Sequence, residues 1–304
     1  MAVNCVVLIK QVPDTKNVTT VAMKADGTVN RAALPTIFNP DDLHALELAL
    51  SIKDATGGKV TVITMGPPAA CEALRDALYR GADEVVLVTD RRCAASDTLA
   101  TSYILSCAVR RVGDYDLVLC GRQAIDGDTA QVGPQTAEKL NLAQITYVQK
   151  IEEMRDGVAR CRRDTDSGYE VVDGRLPLLM TVVGSANEPR PPAAKRVMKY
   201  KRALSRLEIE AQFRKQNPNA SNEEVLTHVD RRCEELEAKG LLIQVWNLDD
   251  IKADLAWCGR DGSPTKVKRI QAIILKASGF KKIEPTDEGV SGLIHELIQD
   301  HTIG

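Results

Sequence analysis

The chain of 304 residues is poor in several things, and each shortage narrows what it can be. Aromatic residues make up only 4% of it, so a bound ring system would find few flat walls to stack on. The formal net charge is −2, which argues against a nucleic-acid binder that relies on bulk charge, although a local basic patch remains compatible with it. No apolar run approaches the ~18 residues that suggest a membrane span. The start, Met1-Ala2-Val3-Asn4-Cys5, has no basic region of the kind that opens a signal peptide. A cytoplasmic protein is expected, with no membrane span and no nucleic acid among its partners. The four histidines (His44, His228, His295 and His301) are dispersed, and the eight cysteines form no Cys-x-x-Cys pair. A metal site is therefore not expected, and the thiols read as reduced and buried. Also missing are the Walker A pattern, the Gly-x-Gly-x-x-Gly fingerprint, the Ser-Gly-Gly-x-Asp-Ser loop of ATP pyrophosphatases, and any nucleophile beside a base.

What the chain does have is alternation. Apolar runs at Asn4–Lys10, Lys59–Thr64, Glu84–Thr89 and Asp116–Cys120 read as buried strands. Between them, helical patterns are predicted from Asn39-Pro40-Asp41-Asp42 to Gly57, over roughly 69–80, and over Ser96–Val112 with Ser96 as N-cap. Strands and helices alternating in this way indicate an α/β fold built on a parallel sheet, whose ligands bind at the carboxyl ends of strands. Residues 15–36 read as a loop or hairpin excursion. From Ile145 the pattern changes to short strands with polar turns, which predicts a small antiparallel addition before a buried strand at Leu178–Val183.

The domain reading places an α/β nucleotide-binding core at 1–186 and a partner-recognition loop with a basic segment at 187–202. A helical hairpin insertion follows at 203–240, with a capping box at Ser221 to Glu224. Residues 241–304 complete the strands, at Leu241–Trp246 and Lys266–Leu275, and end in an amphipathic arm helix over Asp287–Asp300. Three of these pieces carry two readings each. The basic run from Lys195 to Arg206 is a solvated face or a docking surface, the hairpin is bulk cover or an accessory surface, and the last helix is a packed cap or an arm that grips a partner.

The most informative stretch is Cys120-Gly121-Arg122-Gln123-Ala124-Ile125-Asp126-Gly127-Asp128-Thr129-Ala130-Gln131-Val132-Gly133-Pro134-Gln135. Three glycines, two aspartates, a threonine and amides lie between a strand end and a helix start, where backbone N–H groups can meet a phosphate. Gly127 and Gly133 permit close backbone approach, and the amides of about 128–133, with Thr129 and Gln131, supply donors. Asp126 and Asp128 would repel a phosphate they faced, so they read as turn caps or as acceptors from ribose, with Asp128 as the helix cap. Arg122 pairs with phosphate or faces a ring. Segments 10–14 and 64–68 and the helix start at Asn39 aim at the same end of the sheet. The alternative is a well-capped turn that binds nothing.

The run from Gly121 to Gln135 closely resembles the nucleotide loop of electron-transfer flavoprotein β subunits. The resemblance extends in order to Val7–Asp14, Asn39–Asp42, Thr64–Pro67, Gly81–Asp83, Asn187–Arg190 and Gly262–Thr265. It implies an adenine nucleotide hydrolase-like fold and a heterodimer with a larger α subunit. It also implies a nucleotide held by Leu8, Lys10, Asn39, Pro40, Asp41, Asp42, Thr64, Met65, Arg122, Ala124, Ile125, Asp126, Gly127, Asp128, Thr129, Ala130, Gln131, Val132 and Gly133. Ordinary members hold AMP there as a structural ligand. Electron-bifurcating members hold an FAD that takes hydride from NADH and divides the electrons between ferredoxin or flavodoxin and the α-subunit FAD, which serves a dehydrogenase. Ordinary loops carry bulkier residues where this chain has Gly127 and Ala130, and the small residues here resemble the bifurcating group. A redox-active subunit, not an enzyme on its own, is the expectation; the alternative is a carrier with structural AMP. A nucleotide sensor similar to universal stress proteins would need a shorter chain and would leave 185–304 without a use. The resemblance departs at Ala194, where members that dock acyl-CoA dehydrogenases place a leucine anchor, and Pro191 and Pro192 alter the approach to it. These departures put that docking mode in question for this chain.

Overall fold

The computed structural model describes residues 2–14, 34–266 and 281–299. The first strand, β1 (Cys5–Ile9), is buried along its whole length, as a CVVLI run with no alternation requires. After Lys10 the chain forms β2 (Gln11–Pro13), which pairs antiparallel with β3 (Thr36–Phe38) as a separate two-stranded sheet. Most of the expected excursion between them lies outside the described residues. Helix α1 (Pro40–Thr56) then opens with proline in its first turn and acids at 41 and 42, and Gly57 closes it. Leu46, Ala49 and Leu50 are buried from it.

Strand β4 (Val60–Met65), helix α2 (Cys71–Arg80), strand β5 (Glu84–Val88), helix α3 (Thr98–Val112) and strand β6 (Leu117–Gly121) follow. The N-cap of α3 is Asp97 and not Ser96. The Asp97 carboxylate accepts from the Ala100 amide at 3.0 Å, while the Ser96 hydroxyl donates to the Cys93 carbonyl. Helix α4 (Val132–Leu140) follows the loop. Strands β7 (Ala143–Arg155), β8 (Val158–Thr165) and β9 (Gly168–Arg175) are the expected antiparallel addition, and β10 (Leu178–Val182) is the expected buried strand.

Beyond it lie α5 (Ala194–Tyr200), β11 (Leu204–Ser205), α6 (Arg206–Gln216), α7 (Asn222–Ala238) and β12 (Leu242–Trp246). The predicted hairpin is the pair α6 and α7, packed around Ile209, Val225, Val229 and Leu236. Ser221 and Glu224 form the capping box, and Ser205 and Glu208 form a second one on α6. Part of the basic run is structural: the Arg196 side chain donates to the Leu78 carbonyl at the end of α2, and Arg206 pairs with Asp230. The short α8 (Gly259–Gly262) and the final α9 (Asp287–Gln299) complete the described elements. The strand expected to begin at Lys266 falls almost wholly outside them. No residue of α9 is buried among the described residues, and Val290, Ile294 and Ile298 stand exposed at helical spacing.

Ten strands form one sheet in the order β11-β12-β5-β4-β1-β6-β10-β7-β8-β9. The pairs from β11 through β7 are parallel, and only β7–β8 and β8–β9 are antiparallel. One face is covered by α1 and α2, the other by α3 and α4, which makes two cores separated by the sheet. The chain runs outward from β1 through β4 to β5 and then returns to lay β6 on the other side of β1. The carboxyl ends of β1 and β6 therefore flank the point where strand order reverses, the place where sheets of this kind bind ligands.

All eight cysteines are free; six are buried and Cys93 and Cys233 are half-buried. Among the described residues no helix is long and apolar enough to cross a membrane. Helix α4 packs closely on the sheet, where a Cβ on Gly133 would stand 2.7 Å from Thr181 Cγ2 and 2.8 Å from Cys120 Sγ. Gly133→Ala should therefore lower stability by about 1–3 kcal/mol in chemical denaturation, the usual penalty for overpacking. Gly127→Ala, where a Cβ meets nothing within 4 Å, should not.

Candidate functional site

The loop leaves β6 at Gly121 with no slack. A Cβ at this glycine would lie 2.6 Å from the Asp41 carbonyl carbon and 2.6 Å from Asp42 Oδ1, so the first turn of α1 presses directly on the strand end. That turn holds the loop by side chains. Asn39, with no exposed surface, donates from Nδ2 to the Gln123 carbonyl at 2.9 Å and accepts at Oδ1 from the Ile125 amide at 3.1 Å. Asp42 accepts from the Gly121 amide at 2.9 Å through one oxygen and from the Lys10 amide at 2.8 Å through the other. Burial pushes the Asp42 carboxyl up to about 7, against the opposing pull of the Gly121, Lys10 and Asn39 hydrogen bonds and with the charge of Asp41 adding to the rise.

The two cations of the site are spoken for. Lys10 reaches across to both oxygens of Asp126 at 2.7 Å, an ion pair on the open side of the loop. Arg122 Nε lies 3.6 Å from Asp41 Oδ2, and neither atom has a hydrogen-bond partner although both are buried. Beside this pair opens a cleft of about 710 Å³ lined by Asp41, Arg122, Tyr147, Arg163 and Ser185 among others. Tyr147 holds a φ of 59°, unusual for an aromatic residue, and its amide is fastened to the Thr181 hydroxyl at 3.0 Å.

The middle of the loop is a turn in which the Gly127 and Asp128 amides both donate to the Ala124 carbonyl. Asp128 (φ 51°) and Ala130 (φ 52°) then adopt left-handed conformations. Asp128 does not cap α4. That helix begins four residues later, behind Gln131, and the Asp128 carboxylate accepts instead from Gln123 Nε2. The Gln131 side chain accepts from the Thr98 hydroxyl at 2.9 Å, which ties the loop to α3. Among the described residues, the backbone amides from Thr129 through Gly133 make no hydrogen bond. Gly127, Asp128, Thr129 and Gln131 are exposed. Anion recognition here would rest on unpaired amides at a helix start, since the nearby positive charges are already neutralised.

The structure thus sets Lys10, Asn39, Asp41 and Asp42 against the start of the loop, at Gly121 to Asp126. Thr64 also ends its strand at this edge, but it is wholly buried and its hydroxyl donates to the Ile9 carbonyl. The Leu8 side chain belongs to the core beneath α3, and Met65 is half-buried against the same core. Only backbone groups of Leu8 could face a ligand. Sequence reasoning missed Gly121 as a packing requirement, Tyr147, and Thr181, which meets both Gly133 and Tyr147. Those contacts span strands far apart in sequence, and no local pattern carried them.

These features define an α/β domain with a glycine-rich loop at the crossover of its parallel sheet. The electron transfer flavoprotein domain family matches residues 26–205. An electron transfer flavoprotein subunit beta of Clostridium acetobutylicum is 40% identical over 300 residues, covering 99% of this chain and all of that one. The caffeyl-CoA reductase-Etf complex subunit CarD of Acetobacterium woodii is 38% identical, covering 97% of each. The acryloyl-CoA reductase electron transfer subunit gamma of Anaerotignum propionicum is 46% identical over 209 residues, 67% of this chain and 77% of its own. The chain belongs to the electron transfer flavoprotein β subunit family.

The anchors of the loop differ in how much they should matter. Asn39→Ala would strand the Gln123 carbonyl and the Ile125 amide, and should cost about 1–3 kcal/mol of stability. Lys10→Gln removes a half-exposed ion pair and should cost less than about 1 kcal/mol. Urea unfolding of the two variants beside the parent measures both.

Proposed function

We propose that this chain is the FAD-holding β subunit of an electron-bifurcating electron transfer flavoprotein, working in a heterodimer with an α subunit. The observation that carries the choice of FAD over AMP is the open side of the loop at Gly127, where a Cβ would meet nothing within 4 Å. A longer nucleotide needs room there for a second phosphate and the chain beyond it. The donor set fits a diphosphate: the unpaired amides from Thr129 to Gly133 would hold it, with Ala124 to Asp128 shaping the turn around it. Lys10, Asn39 to Asp42, Thr64, Met65 and Arg122 would line the remaining edges.

When bound, FAD supplies the exchange between a two-electron donor, NADH, and one-electron acceptors, a low-potential ferredoxin or flavodoxin on one side and the α-subunit FAD on the other. The chain's own residues bind and orient. The amides fix the diphosphate without a mobile charge, and Arg122 and Asp41 offer a donor and an acceptor at the mouth of the adjacent cleft. Asp126 is held by Lys10, which offsets its charge. Two relatives are named as parts of CoA-ester reductase systems, caffeyl-CoA and acryloyl-CoA reductase. A CoA-ester dehydrogenase or reductase is accordingly the partner at the far end of the chain of electron carriers. Residues 187–202 would face such a partner, and the exposed stripe Val290, Ile294 and Ile298 on α9 would grip the α subunit. The reading with structural AMP is the second one, and the spare room at Gly127 speaks against it.

Denaturing the purified complex and identifying the released nucleotides tests this. Two FAD per heterodimer is the expected result; one FAD with one AMP would sink the proposal. Gly127→Asp, which fills the open side with a charge, should expel the FAD while AMP still binds. Unchanged flavin content in that variant would count against the placement of the diphosphate.

A further inference from the structure

Asp42 was expected to touch the nucleotide, yet both of its oxygens are committed elsewhere. They hold the Lys10 and Gly121 amides, one at the exit of β1 and the other at the end of β6, on either side of the crossover. The side chain is 6% exposed. It also lies against Gly121 so closely that no Cβ fits between them. A carboxylate is the one side chain that, when ionised, accepts at both ends and donates at neither, and two backbone N–H groups facing one another across the crossover demand that.

We propose that Asp42 is a positioning residue for the nucleotide loop: ionised, it holds both strand ends and fixes where the loop departs, and protonated, it releases one of them and loosens the loop's grip on its ligand. The inference rests on the loop being a nucleotide site, but not on which nucleotide it takes.

The surroundings make that protonation accessible. From α1, Asp41 adds negative charge and Asn39 a hydrogen bond. From β6 come the Gly121 amide and the buried Cys120 thiol, itself pushed up by burial and by the Asp42 charge. From β1 comes the Lys10 amide, while the Lys10 ammonium turns outward to Asp126. Arg122 lies on Asp41, and His44 is engaged by the Asn187 carbonyl. Among the described residues no cation pairs with Asp42, which is why burial prevails and lifts its carboxyl to about 7 from the usual 3.8.

The two consequences have opposite signs. Between about pH 4 and pH 7 the folded chain binds a proton that the unfolded chain does not, so for this group alone stability against unfolding rises as pH falls. The hold on the loop goes the other way, full above the folded value and lost as pH falls through it. A carboxylate that was merely buried would give only the first effect.

The test uses the purified complex stripped of its exchangeable nucleotide, with AMP and FAD as separate probes. Dissociation constants are measured from about pH 6 to about pH 8 for the parent and for Asp42→Asn, whose amide keeps the shape but donates where an acceptor is needed. The parent should weaken roughly tenfold toward the acid end, the scale of one charged hydrogen bond. Asp42→Asn should be weak throughout and follow a flatter profile. AMP's own phosphate titrates near pH ~6 in both proteins and cancels in the comparison. A parent profile flat for FAD or AMP, or a variant that parallels it, overturns the proposal. Should the variant fail to fold, the parent's profile for FAD decides, because its diphosphate carries no group that titrates between about pH 6 and about pH 8. Binding of AMP but not FAD, with the same profile, would defeat the bifurcating reading and leave this one standing.

Discussion

Two parallel strands that flank a crossover must end level with each other if a loop is to leave one and a helix is to start beside the other. Here a single buried carboxylate enforces that. Asp42 takes the amide that follows β1 and the last amide of β6, and the helix carrying it begins from the chain that β1 itself feeds. Backbone donors at strand ends have lost their ladder partners, and a buried donor without an acceptor is expensive. Satisfying two of them with one side chain seals the top of the sheet where it would otherwise be open. The absence of a side chain at Gly121 is the other half of the same device, because it lets the carboxylate reach the strand.

Helix α1 extends this grip along its length. Two residues on from Asp42, His44 and Asn187 bond each other's groups. Glu47, buried despite its charge, takes the Arg190 guanidinium and amide, and Asp54 accepts from Nη2 of the same guanidinium. The Arg190 carbonyl is met by Arg80 from α2, and the Ala193 amide donates to Tyr79. So the segment that precedes α5 is strapped to the same helix that sets the loop. A rigid element bonded to both keeps them in fixed register; in the proposed function this is the register between the cofactor loop and the segment that would face a partner.

Much of this was legible in the sequence. The LVLC run into a glycine-rich turn marked the site because a buried parallel strand has no alternation and must end at a turn. The antiparallel addition, the hairpin and the Ser221 capping box followed from patterns that are local in sequence. The misses were all non-local or turned on one residue of phase. Ser96 and Asp97 are equal candidates on a list of N-caps, and only the position of Ala100 chooses between them. Asp128 looked like a cap because nothing in its neighbourhood shows that Asp128 and Ala130 go left-handed and delay the helix. An aspartate in the first turn of a helix ordinarily faces water and the dipole, so Asp42 gave no sign that it was turned inward.

The left-handed residues bear on how the loop can work. Asp128 and Ala130 each hold a conformation that costs a residue with a Cβ about 1–2 kcal/mol. Such strain persists only where the surroundings over-determine the backbone. Here Asn39 fixes the loop at Gln123 and Ile125, and Thr98 fixes it at Gln131, so the strained residues lie between anchors on two different helices. The reward for that geometry is a run of amides, from Thr129 to Gly133, with no partner in the described chain. A loop free to relax would turn those donors back on its own carbonyls. Because it cannot, the donor set exists before any ligand arrives, and binding need not be charged with the ordering of the loop. Preorganisation of this kind uses backbone dipoles that do not themselves titrate.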